Sequence, residues 1–588
     1  MIGKRKSQTT LFDVGALEPI RLRPDSFYAQ LAAAAPTLYP ETMFAALYLP
    51  GGRPSVPPSQ LALLLVLQTH CRVSDAEAIE RSAYDARWAV VLGTQLGEPL
   101  CVKSTLQLFR AKLILQQQAR LLLQGSLKEA RRKGLLSDEP LRVAVDTLCI
   151  RGAGAVKDTW NLLATGIWQV IRAAAKELRE PPAAWAARHD LTTYVPNPHG
   201  SVKGDLDLDW SDEAAREAAL TVIVADAVQA WKLAEALAAT LEEQAAARVR
   251  QAQLLLGDLV LQDIEVQPDA AGKPHVRVKQ GTAPDRIPSA TDDEQRHGHK
   301  SKSNKFTGHK ARTVVETTSG LILDSEVLPG NAGDATELMA QLERVATECA
   351  VTLGAVLGDC AFGNGATRAE FAAQGLPLYA KVPAEARRGD RFPKSRFTLD
   401  LAAGTATCPA GKTTSDWRAT SDGGRVYHFG THCEGCPLRA HCTPSPHGRT
   451  VAQHPQEALL RAARAAAATP AGRQTLRERV IVEHRQARLA QLGVKQARYF
   501  GRAKTQFQVL AAATVANLRL IWNREQAPAA GSGGEGGNPP PNPENQSGPG
   551  PFDGWQWLLS RSKGLLNAYR PDLGPFRWRT RLPLASVQ

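Results

Sequence analysis

Two apolar, strand-like runs that each lead to an aspartate constrain the fold most strongly. The first, residues 141–150, follows Pro140 and contains Asp146 among β-branched neighbours. The second, residues 354–358, is followed by Asp359 and then by a glycine-containing stretch that favours a tight turn. A carboxylate at the end of a buried strand is either a helix cap or a functional group. Each aspartate alone leaves both interpretations open.

A third carboxylate lies in a basic amphipathic helix predicted around residues 476–490. Its apolar residues recur at helical spacings, at Leu476, Val480, Ala487 and Ala490. Arg479 and Glu483 are four residues apart and share a face, which alone indicates a surface ion pair. Combined with Asp146 and Asp359, however, Glu483 can also be interpreted as part of a functional site. Three carboxylates from two strands and a helix can hold two divalent cations about 4 Å apart for in-line phosphoryl transfer.

These residues resemble the Asp-Asp-Glu triad of bacterial insertion-sequence transposases with an RNase H-like catalytic core. The resemblance runs from about Glu18 to Trp522, and its supporting motifs are Arg479-x3-Glu483, Phe306–Lys310, Val327–Asp334, Ala497–Lys504 and Asn517-Leu518. Two positions depart from the family pattern. Leu476 replaces a common tyrosine and Ala490 a common lysine, which leaves Lys495, Arg485 and Arg488 as alternatives for phosphate contact.

The resemblance implies a fold, an activity and a set of ligands. The fold is an α/β, mixed-sheet RNase H-like core preceded by an all-α N-terminal domain. The activity is cleavage and strand transfer of DNA. Asp146, Asp359 and Glu483 would ligate two Mg²⁺ ions, with Mn²⁺ as a substitute, and Arg479 would position Glu483 or contact phosphate. The partners would be double-stranded DNA, as terminal inverted repeats and target, and further copies of the chain in a homodimer or larger assembly.

Composition favours a nucleic-acid partner. The chain has 588 residues and a formal net charge of +13, which attracts polyanions. No run approaches the roughly 18 apolar residues of a membrane span, and the N-terminus lacks a signal-peptide core. Nine cysteines, five of them scattered, indicate a reducing compartment rather than a disulfide framework. We expect a bacterial, nucleoid-associated cytoplasmic protein.

The predicted organisation has seven parts. Residues 1–17 are a basic arm, and 18–135 a helical DNA-binding or support domain with helices from Ser74 to Gly93 and from Ser104 towards Gly134. Residues 140–383 are the first part of the core, with a helical insertion at about 158–285 that is a dimer arm or a packing element. A Cys-rich insertion at 384–450, the rest of the core at 451–524, a disordered linker at 525–550 and a C-terminal tail at 551–588 follow.

A dense basic run at residues 285–312 leads into a predicted strand pair, Lys305–Glu316 and Leu321–Leu328. If this pair shares a sheet with Asp146, the run borders the site and can neutralise DNA phosphates. The predicted DNA-binding residues are Arg296, Lys300, Lys302, Lys305, Lys310, Lys495 and Arg498. Two nearby aspartates have structural explanations: Asp334 as the N-cap of a helix ending near Cys349, and Asp324 as a turn-facing strand residue.

Four cysteines cluster in the second insertion, at Cys408, Cys433, Cys436 and Cys442. A Cys-x2-Cys pair with two further cysteines has the ligand count of a structural zinc site, and a metal can stabilise a segment poor in core residues. His432 and His441 are alternative ligands, and four reduced thiols in a loop are the structural alternative. Two other functions remain open: an RNase H-like nuclease without strand joining, and a non-catalytic, zinc-containing DNA-binding regulator.

Overall fold

The structure is a computed structural model and describes residues 1–4, 22–195, 201–268, 274–301, 303–383 and 389–526. Most of the predicted basic arm, Lys302, nearly all of the predicted linker and the whole C-terminal tail lie outside the described residues.

The N-terminal region is helical. Ser74 caps a helix as predicted, because its side chain accepts the Glu77 backbone N–H at 3.1 Å, whereas Ser104 lies inside a helix that begins at Lys103 without a side-chain cap. Its helices are α1 Phe27–Leu38, α2 Pro58–Cys71, α3 Asp75–Tyr84, α4 Ala86–Leu92, α5 Lys103–Leu115 and α6 Leu121–Arg132. The stretch from Ser74 to Gly93 is two helices rather than one, because the Asp85 side chain accepts the Arg87 backbone N–H and caps α4. The next predicted helix is also broken, near Gln117, which adopts a φ of 57°.

The core begins with β1, Leu141–Arg151, and then leaves the sheet for the helical insertion. The insertion contains α7 Thr159–Glu177, α8 Pro182–Arg188, α9 Val202–Asp205, α10 Glu213–Ala238 and α11 Glu243–Asp263, followed by the hairpin β2 Ile264–Pro268 and β3 Pro274–Val278. Helices α7, α10 and α11 pack together around their own buried cluster, which includes Leu163, Ile167 and Leu256. The insertion therefore has a hydrophobic core separate from that of the sheet.

The chain returns to the sheet through strands on both sides of β1. These elements are β4 Arg296–His299, β5 Lys305–Glu316, β6 Ile322–Pro329, α12 Leu338–Cys349, β7 Leu353–Gly358, α13 Gly365–Ala373 and β8 Leu378–Ala380. The six-stranded sheet has the order β4-β5-β1-β7-β8, with β6 also paired to β5. β5 is antiparallel to β1, whereas β1, β7 and β8 are parallel. The sheet and the N-terminal helices share one hydrophobic core.

Asp334 and Asp324 occupy positions that differ from the prediction. α12 begins four residues after Asp334, with Glu337 as N-cap at a φ of 54°. Asp334 instead accepts a hydrogen bond from Lys310 Nζ at 2.8 Å. Asp324 is buried on β6, where it pairs with Arg120 at 2.9 Å and Arg344 at 3.3 Å. Both aspartates thus have structural partners, although neither has the role expected from sequence.

The Cys-rich insertion consists of short strands around a small core of Phe397, Tyr427, Phe429 and neighbours. Its strands are β9 Thr398–Asp400, β10 Thr405–Thr407, β11 Thr413–Thr414, β12 Trp417–Ala419, β13 Arg425–His428 and β14 Thr450–Gln453, arranged in two three-stranded sheets.

Four helices complete the described chain: α14 Glu457–Ala468, α15 Pro470–Glu478, α16 Val480–Gln491 and α17 Arg502–Gln526. The helix predicted around Glu483 is broken at Arg479, where three consecutive β-branched residues, 480–482, begin α16. Such residues fit a helix less well than unbranched ones. α16 packs against β1 and β5, and α17 packs against β6 and the N-terminal helices.

Candidate active site

Asp146 lies on β1, and Asp359 directly follows the neighbouring parallel strand β7 at the same level of the sheet. The pairing of Ala144 with Leu357 places Asp146 beside Asp359, two residues further along each chain. Neighbouring strands lie about 4.8 Å apart. β7 ends just before Asp359, whose Oδ1 accepts the Ala361 backbone N–H at 2.8 Å. The register thus brings the two carboxyl-bearing positions together.

Arg479 joins the strand carboxylate to the helix carboxylate. Its Nη1 lies 3.3 Å from Asp146 Oδ2, and its Nη2 lies 2.5 Å from Glu483 Oε1. Because α16 packs on β1, the Asp146 face of the strand meets the helix that carries Glu483. The structure therefore brings Asp146, Arg479 and Glu483 into one contact network, although 333 residues separate Asp146 from Arg479.

The carboxylates repel one another. The pKa of Asp146 is raised to about 6, mainly by burial. The neighbouring charges of Asp359 and Glu483 also raise it, whereas the Thr147 backbone N–H and Arg479 lower it. The Asp146 side chain is 18% exposed. A carboxyl pKa raised in this way means that burial and like charges together outweigh the nearby donors and disfavour the ionised form. A bound cation would favour the ionised form again.

Oxygen donors of this kind suit Mg²⁺, which prefers carboxylates. Among the described residues, however, no group of three or more His, Cys, Asp or Glu side chains stands, as placed, where it could hold a metal ion. Arg479 already contacts two of the three carboxylates. The chemistry of the donors fits a divalent cation, and binding requires these side chains to reorient, Arg479 among them.

Four of the predicted DNA-binding residues, Lys300, Lys305, Lys495 and Arg498, are exposed. The Lys495 backbone carbonyl accepts the Arg151 N–H at 2.9 Å, which places Lys495 at the end of β1 beyond Asp146. Of the three alternatives for the lysine that Ala490 replaces, Lys495 is the exposed one. Arg485 is buried and donates to the Ala516 carbonyl at 2.8 Å.

Several of the predicted basic residues make contacts within the protein. Lys310 is 12% exposed and pairs with Asp334. Arg498 donates to the Val73 carbonyl at 2.9 Å, and Arg296 to the Gln295 carbonyl at 2.9 Å. Arg488, the third alternative for the family lysine, donates to Gln491 at 2.7 Å. These contacts position loops and helices around the site.

The four clustered cysteines line one small cavity in the second insertion, together with His432. Burial raises the pKa of Cys442, and the three other sulfurs raise it further, while Arg449 lowers it. Cys433 Sγ also accepts the Arg449 backbone N–H at 3.4 Å. The fold thus gathers thiols that are up to 34 positions apart, from Cys408 to Cys442.

Two protein families match parts of the chain. The family described as "Transposase DDE domain" matches residues 407–522, which include Glu483 and the four cysteines. The family described as "Transposase domain (DUF772)" matches residues 18–112, in the N-terminal helical region. Together they support a transposase of the DDE type. Neither curated proteins nor solved structures gave a match.

The DDE assignment implies an enzyme of the nucleotidyl-transferase type that acts on DNA, and such transposases generally use divalent metal ions. Asp146 and Asp359 lie outside the two matched segments, so their place in the site rests on the sheet register and on Arg479. Within the described ranges, no helix is long and apolar enough to cross a membrane.

Arg473 and Arg477 are two exposed cations just before Arg479 that the sequence analysis did not single out. Their four-residue spacing, which places two arginines on one helix face, was the available signal.

Proposed function

We propose that this chain is an insertion-sequence transposase whose RNase H-like core cleaves DNA and joins its strands at Asp146, Asp359 and Glu483. The observation that carries the proposal is the contact of Arg479 with both Asp146 and Glu483, next to the strand that ends at Asp359. The strand order supports it. An antiparallel pair, β6 and β5, lies beside three parallel strands, β1, β7 and β8, as expected for an RNase H-like sheet.

In this proposal, the three carboxylates hold divalent metal ions. Such ions, when bound, activate the attacking water or 3′-hydroxyl and stabilise the leaving oxygen. Arg479 neutralises Asp146 and Glu483 in the metal-free protein and moves to a DNA phosphate when DNA and metal arrive. Its guanidinium suits phosphate because it presents planar, paired donors. Exposed Lys300, Lys305 and Lys495 supply further phosphate contacts around the site.

We also infer that Cys408, Cys433, Cys436 and Cys442 bind a structural zinc ion. The support is the shared cavity and the mutual effect of the sulfurs on the pKa of Cys442. The surrounding core is small, with a few aromatic and aliphatic side chains, so a metal can supply part of its stability. Zinc requires thiolates about 2.3 Å from the ion, and the side chains must therefore close around it.

The test compares cleavage and joining of labelled element ends in Mg²⁺ with DNA binding in a gel shift. Asp146→Asn keeps the shape of the side chain but removes a charged ligand, so both reactions should be lost while DNA binding survives. Asp258→Asn, on the exposed face of α11, is the matched control and should react normally. Cleavage by Asp146→Asn at the wild-type rate would refute the proposal. If the wild-type protein cleaved the ends without joining them, it would be a nuclease and not a transposase.

A further inference from the structure

A basic groove lies beside the edge strand β8. Lys381, Arg464, Arg473 and Arg477 line a cavity of about 540 Å³ together with Val382, Leu476 and two alanines. Lys381, Arg473 and Arg477 are exposed. Four cations therefore face one cavity whose remaining lining is apolar.

Little negative charge compensates these cations. Arg464 lies 3.9 Å from Glu457, but that carboxylate is buried and already 2.5 Å from Lys394. Lys381, Arg473 and Arg477 form no ion pair within the described part of the chain, and Arg473 donates to the Ala468 carbonyl. Arg473 and Arg477 also lie one turn apart on α15, where like charges destabilise a helix. The arrangement is unfavourable for the free protein and favourable for a bound anion.

The groove opens at the same edge of the sheet as the carboxylates. β8 is parallel to β7, and Lys381 follows β8 as Asp359 follows β7. α15, which carries Arg473 and Arg477, ends one residue before Arg479. α15 also packs against β7 and β8. A polyanion that reaches Asp359 and Arg479 from this side would run along the groove.

An apolar cavity of about 410 Å³ adjoins the basic one and shares Ala467 and Leu476 with it. Its wall includes Phe371, Leu376 and Tyr379, and the Tyr379 side chain is partly exposed, at 37%. A row of cations next to an apolar wall with an exposed aromatic ring is the combination that binds single-stranded nucleic acid, with phosphates on the cations and bases on the rings.

We propose that this groove binds a single DNA strand as it leaves the active site. The phosphates of the strand contact Lys381, Arg464, Arg473 and Arg477, and an unpaired base of the strand packs against Tyr379. Cavities of this size hold molecules the size of a small ligand, and so accept a few unpaired nucleotides but not a duplex. The inference rests on the proposed function, because the strand is the one that the carboxylates cleave.

The test measures binding of fluorescent oligothymidylate of about 15 nucleotides, and of a duplex of equal length, by anisotropy at several salt concentrations without divalent metal. The double variant Arg473→Ala/Arg477→Ala should weaken oligothymidylate binding and reduce the slope of log K against log salt by about 1.4, or about 0.7 for each phosphate that the variant no longer neutralises. Tyr379→Ala should weaken binding about tenfold without changing the slope. Duplex binding should change little.

Arg188→Ala/Arg250→Ala, which removes two exposed arginines from the helical insertion, is the matched control and should bind like the wild type. An unchanged affinity and slope in Arg473→Ala/Arg477→Ala would overturn the inference. An equal loss of duplex and single-strand binding would overturn the single-strand assignment. The proposed function is judged separately, by cleavage in Asp146→Asn. If oligothymidylate binding depended on the groove but Asp146→Asn still cleaved DNA, the groove assignment would stand and the assignment of the three carboxylates as catalytic would be refuted.

Discussion

Asp146→Asn should stabilise the metal-free protein. The Asp146 carboxyl has an ordinary pKa of 3.8 that is raised to about 6 in the fold, first by burial and then by Asp359 and Glu483. A shift of about two units corresponds to roughly 3 kcal/mol, because one unit is about 1.36 kcal/mol. The ionised carboxylate thus costs the folded state about 3 kcal/mol near neutral pH. Asparagine has the shape of the neutral acid and avoids most of this cost.

The sign of the pH dependence follows from the raised pKa. The folded state binds the Asp146 proton more tightly than the unfolded state, so this group destabilises the fold as pH rises from about 4 to about 6. Above that window the whole penalty is present, and below it the penalty vanishes. The free-energy difference between Asp146→Asn and the wild type should therefore appear across this window and stay constant above it.

The assay is urea unfolding in EDTA at about pH 4 and about pH 7.5. With an m-value of about 3 kcal/mol per molar, a gain of 3 kcal/mol moves the midpoint by about 1 M at the higher pH. Mg²⁺ should then raise the midpoint of the wild type more than that of the variant, since binding stabilises only a protein with an intact site.

Asp324→Asn is the comparison variant, because the same substitution at this position should lower the free energy of unfolding. Asp324 is 4% exposed and pairs with Arg120 and Arg344, so its charge is compensated. Removing one partner of a buried pair leaves the other uncompensated and costs about 3 kcal/mol. A destabilised Asp146→Asn in EDTA, or a gain that is the same at both pH values, would refute the raised pKa assigned to Asp146.

Three further predictions concern other residues. Arg479→Gln should keep DNA binding within a few-fold and lower cleavage, since it removes one of many phosphate contacts but frees Asp146 and Glu483 to repel each other; unchanged cleavage would remove Arg479 from the site. Lys300→Ala/Lys305→Ala should weaken duplex binding and reduce the salt slope by up to about 1.8, and a slope equal to that of the wild type would exclude these phosphate contacts. Cys433→Ser should lower zinc content in metal analysis and the unfolding midpoint together; wild-type protein without zinc, and a variant of unchanged stability, would contradict the zinc assignment.

The elements that the sequence predicted well are those in which local pattern and burial agree. The β1 run and the β5–β6 pair have long apolar patterns, and their bounds differ from expectation by one residue at most. The sheet is continuous through β1, so the strand that carries Asp146 shares a sheet with the β5–β6 pair and lies between β5 and β7. Periodicity could predict these elements because burial of one face determines both the pattern and the fold.

The sequence predicted less well where a side chain has two possible partners. Asp334 precedes α12 and has the composition of a cap, yet Lys310 from the neighbouring strand takes its carboxylate. Asp85, within a predicted helix, instead caps the second of two shorter ones. Sequence patterns predict that such a side chain accepts a hydrogen bond from the nearest backbone N–H. Its actual partner depends on whether the tertiary structure brings a cation or a turn close to it.

The break between α15 and α16 at Arg479, which the sequence did not predict, lies at the candidate active site. A continuous helix over residues 476–490 would place Arg477, Arg479 and Glu483 on one rigid axis. With two helices, α15 packs against β7 and β8 while α16 packs against β1 and β5. The two helices thus meet at the residue that contacts both Asp146 and Glu483. Helix α15 carries two arginines of the proposed groove and α16 carries Glu483, so the junction at Arg479 connects the proposed strand-binding groove to the proposed cleavage site.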